Sequence, residues 1–116
     1  MIRALALSAL LALSAAVPVV AAGPIGTIER GHYACELPGE TAGVVALAQP
    51  EESFEIAGAS RYRSPQGNGT YLRRGDRVIM SSGPRNGSQY EVISETLLRR
   101  IDNGQPGRLR CYWRGR

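Results

Sequence analysis

His32-Tyr33-Ala34-Cys35-Glu36-Leu37 places Tyr33, Cys35 and Leu37 on one side of an extended chain and His32, Ala34 and Glu36 on the other. Neighbouring side chains of a strand point to opposite faces, so this period of two assigns the first set to a core and the second to solvent. Cys35 has one available partner, because Cys111 is the only other cysteine. Cys111 sits in a similar stretch, residues 108–113, where Leu109, Cys111 and Trp113 face inward and Arg108, Arg110, Tyr112 and Arg114 share the outer face. A Cys35–Cys111 bridge would therefore tie the first strand of a domain to its last. Closing so long a loop is worth up to ~4.5 kcal/mol in the chain-entropy description, comparable to the whole stability of a small domain.

Between the cysteines the pattern is β throughout. Residues 53–57, 69–74, 77–82 and 88–94, followed by 97–101, read as strands, and residues 44–48 fit either a strand or one helical turn before Pro50. Asn68-Gly69, Asn86-Gly87 and Asn103-Gly104 favour tight hairpins, since both residue types tolerate positive φ, and Gly75-Asp76 marks a fourth turn. With no long amphipathic helix, the expected architecture is all-β: a small antiparallel meander or closed barrel of six to eight strands, its terminal strands tied by the disulfide. Closure would remove the exposed edges that make open sheets prone to association.

The chain begins with Arg3, an Ala/Leu-rich run through Val17, a helix-breaking Pro18 and the small residues Val20-Ala21-Ala22. This is the pattern of a cleavable secretory leader, with the cut expected after Ala22. Residues 1–22 are thus expected to be a signal peptide, 23–30 a short extension and 31–116 a single β domain. The mature form is expected not to span a membrane and to act in the periplasm or as a secreted protein. Such an oxidising compartment suits a disulfide.

The net charge of +4 sets fourteen basic residues, every one of them Arg, against ten acidic ones. Arginine keeps its charge at any relevant pH and grips carboxylate or phosphate through two parallel hydrogen bonds. The expected chemistry is binding, with no cofactor and no metal: two cysteines and His32 fall short of four zinc ligands. His32 is the only histidine and is expected on the surface. Asp76 and Asp102 lie in turns, and Glu51, Glu52 and Glu55 read as a solvated acidic patch. No nucleophile, base and carboxylate converge in the sequence, so the expectation is a protein that is not an enzyme, a hydrolase acting on envelope material being the catalytic alternative. Arg74-Gly75-Asp76 is ordinary turn chemistry despite spelling an adhesion tripeptide, and Asn68 and Asn86 begin glycosylation acceptor triplets that matter only in a eukaryotic secretory route.

Two surfaces stand out as candidate partner-binding sites. The loop from Ser81 to Ser88 concentrates turn residues around Arg85, which is expected to stand exposed at a hairpin tip beside Ser82 and Gly83. The outer face of the last strand offers Arg108, Arg110, Tyr112 and Arg114, a basic stripe with one aromatic. The partner class is an unknown protein or an anionic envelope component. Nucleic acid is not expected in an exported setting.

Gly31-His32-Tyr33-Ala34-Cys35-Glu36-Leu37-Pro38-Gly39, Gly69-Thr70-Tyr71-Leu72, Gly75-Asp76-Arg77-Val78, Met80-Ser81-Ser82-Gly83-Pro84-Arg85 and Leu109-Arg110-Cys111 together resemble a group of small, uncharacterised exported bacterial proteins often labelled elongation factor P. That label does not describe this chain. Elongation factor P proper is a cytoplasmic three-barrel protein that reaches the ribosome with a modified Lys or Arg, whereas this chain has an expected leader, two cysteines and no Lys. A looser likeness is to the periplasmic inhibitors of C-type lysozyme, disulfide-tied β-barrels whose Ser-Gly-rich loop and nearby basic residue enter the enzyme's acidic cleft. Ser82, Gly83 and Arg85 echo that loop, interrupted by Pro84. The resemblance implies an inhibitor that inserts Arg85 into its target.

Overall fold

The computed structural model describes residues 23–39 and 46–116. The expected leader, residues 1–22, and the first two residues of the 44–48 run lie outside the described residues. The described strands are β1 (Ile25–Gly26), β2 (Gly31–Pro38), β3 (Ala46–Ala48), β4 (Phe54–Gly58), β5 (Arg61–Ser64), β6 (Gly67–Arg74), β7 (Arg77–Met80), β8 (Gln89–Ser94), β9 (Leu97–Asp102) and β10 (Gln105–Trp113). A 3₁₀ turn, Pro50–Glu52, links β3 to β4.

From β4 through β10 each strand pairs antiparallel with the next in sequence, and β2 fills the gap between β10 and β4. Eight strands thereby close a barrel with no free edge, as an alternating sequence with frequent turns favours. β1 lies along the end of β6, and β3 pairs with the far half of β2. Cys35 and Cys111 are direct register partners across the β2–β10 pair, joined at S–S 2.05 Å. The covalent tie therefore crosses the seam where the first and last barrel strands meet.

The inward set is the one that alternation selects. Tyr33, Cys35, Phe54, Ile56, Tyr62, Val78, Met80, Tyr90, Leu98, Leu109 and Cys111 are all buried. Tyr33 stacks on Phe54 with ring centroids 5.2 Å apart, and Phe54 tilts against Tyr90 at 5.5 Å. Burial of each large side chain contributes ~1.5–3 kcal/mol relative to exposure. Trp113 and Leu37, expected inside, are half-buried against this core; the Trp113 indole N–H donates to the Arg30 carbonyl at 2.9 Å.

One turn assignment needs correcting. Asn68-Gly69 does not form a hairpin turn but lies within β6, and Pro65-Gln66 makes the β5–β6 turn instead. Gly69 is required for a different reason: a Cβ there would be driven into the Ser82 carbonyl and the Tyr62 ring. Asn103-Gly104 does form the expected hairpin, with φ of 52° and 75°, both in the region that two-residue hairpin turns need. The sequence reading also omitted β5, whose Arg61-Tyr62-Arg63 places one buried tyrosine between two exposed arginines.

Because the strands alternate in direction, the connections gather at two ends. One end carries the 3₁₀ turn, Pro65-Gln66, loop 81–88 and Asn103-Gly104. The other carries the segment 27–30 and the turns at 59–60, 75–76 and 95–96.

Candidate binding surfaces

Loop 81–88 folds back on the barrel instead of projecting from it. Ser82 is committed on all sides: its carbonyl accepts from the Tyr62 hydroxyl at 2.7 Å, and its Oγ accepts from the Thr70 amide at 3.0 Å and bonds Thr70 Oγ1 at 2.7 Å. Gly83, at φ 81°, packs against Asn68 O and the Tyr62 hydroxyl, where a side chain has no room.

The expected exposure of Arg85 is wrong. Arg85 is only 8% exposed, and its guanidinium points into the end of the barrel. It donates to the carbonyls of Glu52 at 2.6 Å, Glu51 at 2.8 Å and Ser53 at 2.9 Å, and to Gln66 Oε1 at 3.2 Å. Its Cζ lies 5.5 Å from the centroid of the Phe54 ring. The reason is local: a 3₁₀ turn ends in carbonyls with no intrahelical partner, and a planar cation with five donors satisfies several at once. The Arg85 amide donates in turn to the Tyr62 hydroxyl at 3.1 Å, so the same tyrosine fixes both ends of the loop's first turn.

The acidic cluster is likewise not purely solvated. Glu52 accepts from Arg100 at 3.1 Å through its carboxylate, and Arg100 also reaches Asp102 at 2.9 Å. Together with Arg85 these residues form a polar seal over this end of the barrel. Beneath it, burial raises the pKa of the Tyr90 hydroxyl, while Arg85 and Arg100 pull in the opposite direction.

On the outer wall the last strand keeps the expected faces. Leu109 and Cys111 are buried; Arg108 and Arg114 are exposed, and Arg110 and Tyr112 half-exposed. Arg114 Cζ sits 5.6 Å from the Tyr112 ring centroid. The register adds residues that the sequence did not connect to this stripe. Arg110 stands opposite Glu36 on one side and Arg99 on the other; Arg99 faces Glu91, Glu91 faces Arg77, and Arg77 faces Arg74. A single row of charge thus runs across six strands in the order Glu36, Arg110, Arg99, Glu91, Arg77, Arg74. None of these six forms a salt bridge among the described residues. Arg99 donates instead to the Gly107 carbonyl at 2.8 Å and Arg77 to Gln89 Oε1 at 2.8 Å.

Comparison with protein-family models, curated proteins and solved structures finds no match to this chain.

His32 is exposed on the outer face, in register with Glu55, which is in turn in register with Arg63. It forms no hydrogen bond to a serine or a carboxylate among the described residues; Ser53 Oγ is taken by the Cys35 amide at 3.0 Å and Ser64 Oγ donates to Gly67 O at 2.7 Å. Among the described residues there is no group of three His, Cys, Asp or Glu side chains placed to hold a metal, and no helix long and apolar enough to cross a membrane. Arg74-Gly75-Asp76 occupies the β6–β7 turn, with Gly75 at φ 53°.

Proposed function

We propose that this protein is an exported, non-catalytic binding barrel whose β9–β10 wall recognises an anionic glycan of the cell envelope. The observation that carries this reading is the direct pairing of Arg110 with Arg99. Like charges placed opposite one another in a sheet destabilise it, by an amount on the order of 0.2–1 kcal/mol. The same arrangement recurs at Arg74 and Arg77. Fork-shaped guanidinium groups side by side on a rigid wall match carboxylate or sulfate groups presented along a chain, and an anionic ligand relieves their repulsion. Arg108 and Tyr112 extend the same surface along β10, and Arg114 follows its end.

The inhibitor-like reading is less favoured because it requires the Arg85 guanidinium to leave four acceptors and enter a partner. A hydrolase reading is less favoured because His32, although in register with Glu55, makes no hydrogen bond to a serine or a carboxylate among the described residues.

Retention on immobilised heparin, used as a probe for anionic glycans, tests the proposal. The native protein is expected to elute well above physiological salt, and Arg99→Gln/Arg110→Gln to elute near it. Equal elution of the two proteins, with both folded, would remove the wall from any role in binding.

A further inference from the structure

The end of the barrel opposite the Arg85 seal opens into a cleft of about 340 Å³, near the lower limit of volumes that hold small ligands. Its floor is apolar: Ile28 and Leu98 are buried and Val92 half-buried. The rim is charged, with Arg30, Arg73 and Arg116 alongside Glu29 and Glu95.

Arg73 differs from the other two cations. Strand alternation turns it inward beside Tyr71, and two carbonyls hold its guanidinium: Nε donates to Gly75 O at 2.7 Å and Nη1 to Thr27 O at 2.8 Å. Among the described residues its remaining nitrogen, Nη2, has only Asp76 at 4.0 Å, a carboxylate that is 81% exposed. A cation held in one orientation and weakly neutralised, beside an apolar floor, has the two elements needed to bind an amphipathic anion. The Tyr33 hydroxyl forms part of the wall and is turned aside to the Glu29 carbonyl at 3.0 Å.

We propose that this cleft binds a small amphipathic carboxylate, its apolar body against Ile28, Val92 and Leu98 and its single negative charge at Arg73. This site is separate from the outer wall and does not depend on the glycan reading.

Octanoate and octanol are the probes, since they share a tail and differ in charge. Trp113, the only tryptophan, donates to the carbonyl of the rim residue Arg30, so its fluorescence reports the site, with calorimetry giving stoichiometry. One octanoate is expected to bind saturably and at least about tenfold more tightly than octanol. Val92→Trp fills the floor without removing a hydrogen bond and is expected to weaken octanoate at least about tenfold. Arg73→Gln is expected to erase the preference for octanoate over octanol; should that variant not fold, Val92→Trp decides. Arg99→Gln/Arg110→Gln is expected to leave octanoate binding intact. Equal affinity for the two probes in the native protein, or octanoate binding untouched by Val92→Trp, overturns the proposal. Loss of binding in the wall variant also overturns it, by placing the anion on β9–β10.

Discussion

The Arg85 guanidinium donates to the main-chain carbonyl of Glu52 over 2.6 Å, while the carboxylate of the same Glu52 accepts from Arg100. One residue of the 3₁₀ turn therefore joins loop 81–88 to the end of β9. Arg85→Met would keep the stem and strip its donors from the Glu51, Glu52 and Ser53 carbonyls. Leaving buried polar groups unpaired costs ~1–3 kcal/mol each when no water replaces the donor, so a total loss of about 3 kcal/mol is expected in urea unfolding. Arg85→Lys should recover only part of this, because an ammonium lacks the planar fork. A loss below about 1 kcal/mol for Arg85→Met would contradict the sealing role.

Tyr62, Gly69 and Ser82 form a second, coupled contact. Tyr62→Phe removes a hydroxyl that donates to Ser82 O and accepts from the Arg85 amide, and Gly69→Ala drives a methyl into the same carbonyl and ring. Each change alone is expected to cost about 2 kcal/mol. The double variant should cost less than the sum, since both release the same loop. Strict additivity of the unfolding free energies would show that they act independently.

Alkaline pH should weaken the fold through its buried phenols. Burial first, and then the charges of Tyr71 and Glu29, push the Tyr33 hydroxyl well above its ordinary value of 10.0, against a smaller opposing pull from Arg73. Tyr71 and Tyr90 are also raised, chiefly by burial. Above pH about 10 the unfolded chain releases phenolic protons that the folded chain keeps. Stability tied to these groups is therefore fully present below that pH and lost as pH rises through the folded values. Urea midpoints should stay level from this source up to pH about 9.5 and fall beyond it, less steeply in Tyr33→Phe. An identical alkaline fall in Tyr33→Phe would show that Tyr33 does not contribute.

The architecture was legible in the sequence because a barrel wall repeats one simple signal. Tyr33/Cys35 and Leu109/Cys111 each announce an inward face by alternation, and the two cysteines join the seam. Loop 81–88 has no such period, so nothing in Ser81 to Ser88 tells whether Arg85 turns out or in. That choice is made by unpaired carbonyls more than thirty residues earlier in the chain. Asn68-Gly69 misled for a related reason: glycine serves a close approach as well as a turn, and the dipeptide alone does not separate the two. On the wall, Arg110 and Tyr112 could be assigned to the outer face from one strand. The meeting of Arg110 with Arg99, and of Arg99 with Glu91, depends on register, which neighbouring strands settle only when paired.

The most direct test of the arginine wall is the salt dependence of affinity for a sulfated oligosaccharide, measured by fluorescence titration over a range of sodium chloride concentrations. Each ion pair made with the ligand displaces counterions and steepens the plot of log affinity against log salt. Replacing Arg99 and Arg110 by Gln should lower affinity and reduce the slope by about one for each arginine lost. A slope and affinity unchanged by the double substitution, in a protein whose unfolding midpoint is also unchanged, would contradict recognition through β9–β10.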